Sequence, residues 1–135
     1  GVYLIKDQGD LDLYLSKVKL AYIQRYIPLE KDIRVVIVGK RIVHAYWKKS
    51  TSGEFRTNVA RGGKVLLDPV PNEAMDLALD VAVRCRFDHV GIDICQDQGK
   101  FLVLEANMNF GTHGFQEAGI DYRDLLCDMV RSKEI

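Results

Sequence analysis

The sequence holds only three cysteines, three prolines and one tryptophan among 135 residues. Cys85, Cys95 and Cys127 are odd in number and lack C-x-x-C or metal-type spacing, which excludes a disulfide framework and a zinc module. Each sits in an apolar stretch and reads as a buried free thiol of a reducing compartment. An excess of one charge is also missing: 19 Lys+Arg stand against 19 Asp+Glu. That balance argues against binding to nucleic acid or to an anionic membrane surface, although a local anion site remains compatible with it. No apolar run is long enough for a membrane span or signal peptide, so the expected location is cytoplasmic. Internal repeats and low-complexity tracts are absent. So are the G-x-x-x-x-G-K-[ST], G-x-G-x-x-G and G-x-S-x-G motifs, which leaves no signature of a P-loop, a dinucleotide fold or a nucleophile elbow.

What is there is an ordinary globular composition, 47% apolar and 28% charged, over the length of one domain. Such a chain buries roughly two-thirds of its unfolded surface and needs no staple. The opening Gly1-Val2-Tyr3-Leu4-Ile5 reads as mid-domain strand, as expected of a piece excised from something longer.

Residues 2–5 predict a short strand. Leu11, Tyr14, Leu15 and Val18 recur at helical spacing and predict an amphipathic helix over 10–18, capped by Asp7 or Asp10. Residues 21–27, β-branched and aromatic, predict a strand ended by Pro28. Residues 33–38 and 41–47 flank Gly39-Lys40 and predict a β-hairpin whose first arm is buried on both faces. Residues 48–64 are polar and read as a long functional loop. Met75, Ala78, Leu79, Ala82 and Val83 predict a core-facing helix over 72–87, with Asn72 as cap. A second hairpin, 90–95 and 101–107, leads through a Gly-rich loop over 108–119 to a C-terminal helix marked by Leu125, Leu126, Met129 and Val130. The predicted class is α+β, an antiparallel sheet built from hairpins with flanking helices.

The second hairpin holds the strongest chemical signal. Asp93, Glu105 and Asn107 interrupt strands that otherwise read as packed on both sides, and acids there favour a partner cation. Glu105 and Asn107 share a face. Asp93 joins them if Cys95 faces Phe101, and points away if Cys95 faces Lys100. Two carboxylates and an amide suit Mg²⁺. Glu54 to Lys64 combines Arg56, Arg61, Thr57, Asn58 and Gly backbone amides, a mixture suited to phosphates or carboxylates. A dication site beside an anion loop points to a nucleoside triphosphate. The glycines near Asn109 and Gly111 permit close backbone approach to a ligand. His44 and His89 read as structural or surface groups, and Tyr46-Trp47 as core.

Asp32-Ile33-Arg34-Val35, Gly53-Glu54-Phe55-Arg56-Thr57-Asn58 with Arg61-Gly62-Gly63, Gly91-Ile92-Asp93-Ile94 and Leu104-Glu105-Ala106-Asn107 follow the order seen in ATP-grasp ligases. They most resemble the RimK type, a glutamate-ligase group. The resemblance implies that Gln24, Arg25, Tyr26 and Ile27 form the hinge that reads adenine. It further implies that Asp32, Arg56, Thr57 and Asn58 hold the nucleotide, and that Leu104 lies beneath the base. Asp93, Glu105 and Asn107 match the Mg²⁺ ligands, with Mn²⁺ a possible substitute. Arg56 and Lys48 match catalytic positions, Lys48 standing where relatives carry Arg. Arg61, Asn109 and Gly111 match substrate positions, and Asn107-Met108-Asn109-Phe110-Gly111 departs from the usual Asn-Ser-Ser-Pro-Gly. The implied activity is ATP-dependent ligation of a carboxylate to an amine through an acyl phosphate. Its partners are an amino acid such as glutamate and a small-molecule or protein acceptor, and the full-length protein is expected to be a homo-oligomer. Residues 1–135 then correspond to the end of the first lobe and the C-terminal lobe, without the first-lobe lysine or the N-terminal domain. The isolated chain is expected to bind nucleotide weakly and to turn over little. The alternative is a non-catalytic nucleotide-binding or interaction module on the same scaffold; the retained metal ligands favour the ligase.

Overall fold

The computed structural model describes residues 2–50 and 63–135. In chain order the elements are α1 (Gln8–Leu15), β1 (Lys31–Val38), β2 (Arg41–Lys49), β3 (Lys64–Leu66), α2 (Asn72–Cys85), β4 (His89–Asp97), β5 (Lys100–Asn107), α3 (His113–Glu117) and α4 (Tyr122–Arg131). The strands form one antiparallel sheet in the order β3-β2-β1-β4-β5. The α+β class and both hairpins agree with the sequence reading.

Apolar alternation sets the two sheet faces. Ile33, Val35 and Ile37 of β1, Trp47 of β2 and Val90, Ile92 and Ile94 of β4 cluster with Ala74, Ala78 and Ala82 of α2. Three alanines one helical turn apart let α2 lie close on the sheet. Phe87 N–H closes the helix end on the Ala82 carbonyl, and Arg86 sits there in the left-handed conformation at φ 57°. Gln98 (φ 49°) and Gly99 (φ 80°) form the β4–β5 turn, the positive-φ pair that matches hairpin twist.

That two-residue turn sets Asp97 against Lys100 and Cys95 against Leu102. Continued unbroken, this register would part Asp93 and Glu105 to opposite faces. A β-bulge intervenes: Ile94 pairs with Val103 but Asp93 pairs with Glu105, so Leu104 is an extra residue in β5. Neither anticipated Cys95 partner is correct, and the bulge brings the two carboxylates to one face all the same.

Several expectations need correction. Residues 2–5 and 21–27 form no strand, and the sheet of the described residues runs β3-β2-β1-β4-β5 without them. Helix α1 starts at Gln8 behind Asp7, whose carboxylate accepts from Asp10 N–H at 2.9 Å, and buries none of its residues. Helix α2 is preceded by Pro71, which has no side-chain cap to offer, so Asn72 is its first residue and not its cap. The Gly-rich loop contains α3, and Lys48 is a buried residue of β2, not part of a polar loop. Cys85 and Cys127 are exposed on their helices; only Cys95 is buried.

Candidate functional site

The sheet face away from α2 carries the charged residues. Registers place Tyr46 opposite Arg34, Arg34 opposite Asp93, and Asp93 opposite Glu105, a polar row across β2, β1, β4 and β5. Asp32 lies opposite Lys48 two pairs along, on the same face. The buried members neutralise one another. Arg34 grips both oxygens of Asp93, Nε on Oδ1 and Nη2 on Oδ2 at 2.8 Å. The Lys48 ammonium sits 2.9 Å from Asp93 Oδ2 and 3.2 Å from Asp32 Oδ2. Side-chain exposures of 2–11% make this a buried quartet, where unpaired charge is costly. Burial opposes the Arg34 charge, but its hydrogen bond to Asp93 and the nearby carboxylates raise its pKa above the ordinary value. Burial likewise pushes the Tyr46 phenol up.

The row continues to the exposed side of the sheet. Glu105 is exposed and Asn107 half-exposed, and the Asn107 amide donates to Glu105 Oε1 at 2.5 Å. Asn107 pairs with Gly91, so it shares the face of Asp93 and Glu105. Among the described residues no three His, Cys, Asp or Glu side chains gather into a metal site. The donor set here is different: two carboxylates and an amide, all oxygen, aligned on one face. That chemistry fits a hard dication such as Mg²⁺ with further oxygens from elsewhere.

Gly91 lets the next layer approach. A Cβ there would stand 3.1 Å from atoms of both Arg34 and Phe110. Phe110 stacks on His89 at 4.9 Å and meets Tyr122 edge-on, while His89 Nε2 lies 2.6 Å from the Tyr122 hydroxyl. Phe110 thus anchors the loop whose exposed flanking residues are Asn109 and Gly111. Further along, Gly114 lies against the Tyr46 ring so closely that an added Cβ would fall 2.2 Å from it. His44 contacts the Gly114 carbonyl at 3.1 Å, and burial holds its pKa below the ordinary value despite that contact.

The proposed hinge reaches the same edge. Gln24 Nε2 donates to the carbonyl of Leu104 at 3.2 Å and to the Tyr22 hydroxyl at 3.1 Å; Arg25 pairs with Asp97 at 2.6 Å. Tyr26 is exposed and Ile27 half-buried. The structure therefore brings together Asp32, Lys48, Asp93, Glu105 and Asn107, with Gln24 and Leu104 alongside. Arg56, Thr57, Asn58 and Arg61 lie outside the described residues. Arg34 was not singled out as a site residue, although a lone cation two residues after Asp32 in an apolar strand signals a buried partner.

Residues 1–130 match the RimK-like ATP-grasp domain. The chain is 34% identical over 139 residues to beta-citrylglutamate synthase B of Danio rerio, covering 98% of this chain and 34% of that protein. In fold it resembles D-alanine–D-alanine ligase from Bacillus anthracis, solved with ATP, with a TM-score of 0.61, 17% identity, and coverage of 96% of this chain and 47% of that one. It also resembles the ATP-grasp ligase PsnB, solved with a precursor variant, Mg and ADP, with a TM-score of 0.59, 19% identity, and coverage of 81% of this chain and 35% of that one. The chain spans about a third of the length of the curated relatives it matches. No helix among the described residues is long and apolar enough to cross a membrane.

Proposed function

The chain belongs to the RimK-like ATP-grasp family, and on that premise we propose that it supplies the nucleotide- and Mg²⁺-binding C-terminal lobe of an ATP-dependent carboxylate–amine ligase. The observation that carries this is the shared face of Asp93, Glu105 and Asn107, which a bulge at Leu104 secures against the register of the turn.

In this reading a substrate carboxylate oxygen attacks the γ-phosphorus of ATP and the bond to ADP breaks. The amine nitrogen then attacks the acyl phosphate carbon, sheds a proton, and phosphate leaves. Mg²⁺, when bound, draws charge from the phosphate oxygens. Glu105 and Asn107 offer it their side-chain oxygens and Asp93 backs them from the sheet. Gln24 and Leu104 line the base side, and Asp32 supports Lys48. Arg56, Thr57 and Asn58 contact the phosphates, Arg56 and Lys48 acting on the transferring group. Arg61, Asn109 and Gly111 face the substrates. No side-chain nucleophile takes part; the chain's contribution is positioning and charge. Glutamate is the proposed amine, on the strength of the RimK match and the name of the relative, beta-citrylglutamate synthase.

Calorimetric titration with ADP tests the reading. Affinity should rise at least tenfold when Mg²⁺ is added, and Glu105→Ala should abolish that rise. The same Mg²⁺ response in both proteins would sink the metal assignment.

A further inference from the structure

Asp93 is the most committed of the three proposed metal ligands. An ionised carboxylate has about four lone-pair sites. Arg34 Nε and Nη2 and Lys48 Nζ occupy three of them. The side chain of Asp93 is 5% exposed, that of Arg34 11% and that of Lys48 8%, so solvent screens these charges little. A dication approaching Asp93 meets one remaining oxygen site on a carboxylate whose charge Arg34 and Lys48 already offset, within a quartet that is neutral as a whole. Glu105 and Asn107 are the freely presented donors, and one carboxylate with one amide is a poor cage for Mg²⁺, which ordinarily relies on substrate phosphates for its other ligands.

Resting on the metal–nucleotide reading above, we propose that Arg34 is a positioning residue that keeps Asp93 charge-compensated, so that the site takes a divalent cation only together with a nucleotide polyphosphate. The polyphosphate supplies both the missing oxygens and the negative charge that the self-neutralised quartet does not offer a cation. The planar guanidinium also fixes the Asp93 carboxylate plane through two parallel bonds, which a lysine in its place would not do. Metal without nucleotide is thereby refused, and the cation arrives in register with the phosphates it must bridge.

Mn²⁺ binding to the 135-residue chain, read from the loss of its free-ion paramagnetic resonance signal, tests this without any turnover. With wild type, saturating ADP should tighten Mn²⁺ binding at least tenfold over Mn²⁺ alone, once the Mn²⁺ that the same ADP binds without protein has been subtracted. Arg34→Met should bind Mn²⁺ alone at least tenfold more tightly than wild type, and Arg34→Lys, which keeps charge but loses the fork, should fall between them. If Arg34→Met does not fold, as its circular dichroism would reveal, the comparison of Arg34→Lys with wild type decides on the same criterion. Wild type binding Mn²⁺ equally well with and without ADP overturns the proposal. So does an ADP-dependent wild type alongside folded Arg34 variants that take Mn²⁺ alone no better; there only the role of Arg34 falls. If ADP promotes Mn²⁺ binding in none of the proteins, the metal–nucleotide reading falls with it.

Discussion

Lys48 and Asp93 meet at 2.9 Å although a whole strand separates theirs: Lys48 is on β2, Asp93 on β4, and β1 runs between. The ammonium reaches past its own register partner, Asp32, and holds both carboxylates. Removing it leaves two buried acids and one guanidinium. Lys48→Met should destabilise the fold by about 3–5 kcal/mol, the usual cost of breaking a buried pair. Lys48→Arg, which keeps the charge, should lose far less. Urea unfolding of the three proteins measures the difference, and an unchanged Lys48→Met midpoint would contradict the buried quartet.

Gly114 is the tightest approach between the sheet and α3. Its missing side chain makes room for the buried Tyr46 ring, which itself lies opposite Arg34. Gly114→Ala should therefore cost about 1–3 kcal/mol through overpacking. Gly111, with open space around its Cβ position, is the control; Gly111→Ala should stay within about 0.5 kcal/mol of wild type. Equal midpoints for the two variants would mean that α3 is held some other way.

His44 gives the fold a mild acid sensitivity. Burial lowers its pKa in the folded state, outweighing the contact with the Gly114 carbonyl. The unfolded chain then binds its proton first as pH falls. The stability tied to neutral His44 is present above the ordinary value of 6.5 and is lost as pH drops through and below it. Between about pH 7.5 and 5.5 the wild-type melting temperature should fall more than that of His44→Gln. Parallel curves would remove His44 as the cause.

The thiols should sort by position. Cys85 and Cys127 are exposed, whereas Cys95 is buried in β4 and burial raises its pKa. A disulfide reagent should label Cys85 and Cys127 in the folded chain and reach Cys95 only in denaturant. Prompt labelling of Cys95 would show that the β4–β5 half of the sheet opens readily.

Much of this was legible in the sequence, and the failures have physical causes. Both hairpins were visible because Gly39-Lys40 in the first and a polar turn in the second interrupt dense β-branched and aromatic runs, and α2 because its apolar residues keep a helical period. The metal-type set Asp93, Glu105 and Asn107 was visible because polar residues in buried strands are expensive. Its register was not: bulges have no reliable residue signature, and Leu104 looks like any other strand leucine. Residues 21–27 have strand composition but pair with no strand among the described residues, and strand propensity carries no information about what lies beside it. Lys48 read as a loop residue because hydropathy treats a charge as exposed; only the placing of Asp32 and Asp93 on the same face explains its burial. Arg34 went unassigned for the same reason.

The bulge at Leu104 makes the number of residues in β5 a functional quantity. Side chains of a strand alternate like odd and even numbers, and Leu104 changes the parity once, between Val103 and Glu105. Deleting that one leucine would leave every other residue in place chemically. It would also remove the bulge and leave a regular ladder in which Glu105 still pairs with Asp93 and Asn107 stays on the same face. A one-residue deletion between the turn and Glu105 is therefore absorbed by loss of the bulge, whereas a one-residue insertion there needs a second bulge or a longer turn to keep Glu105 opposite Asp93.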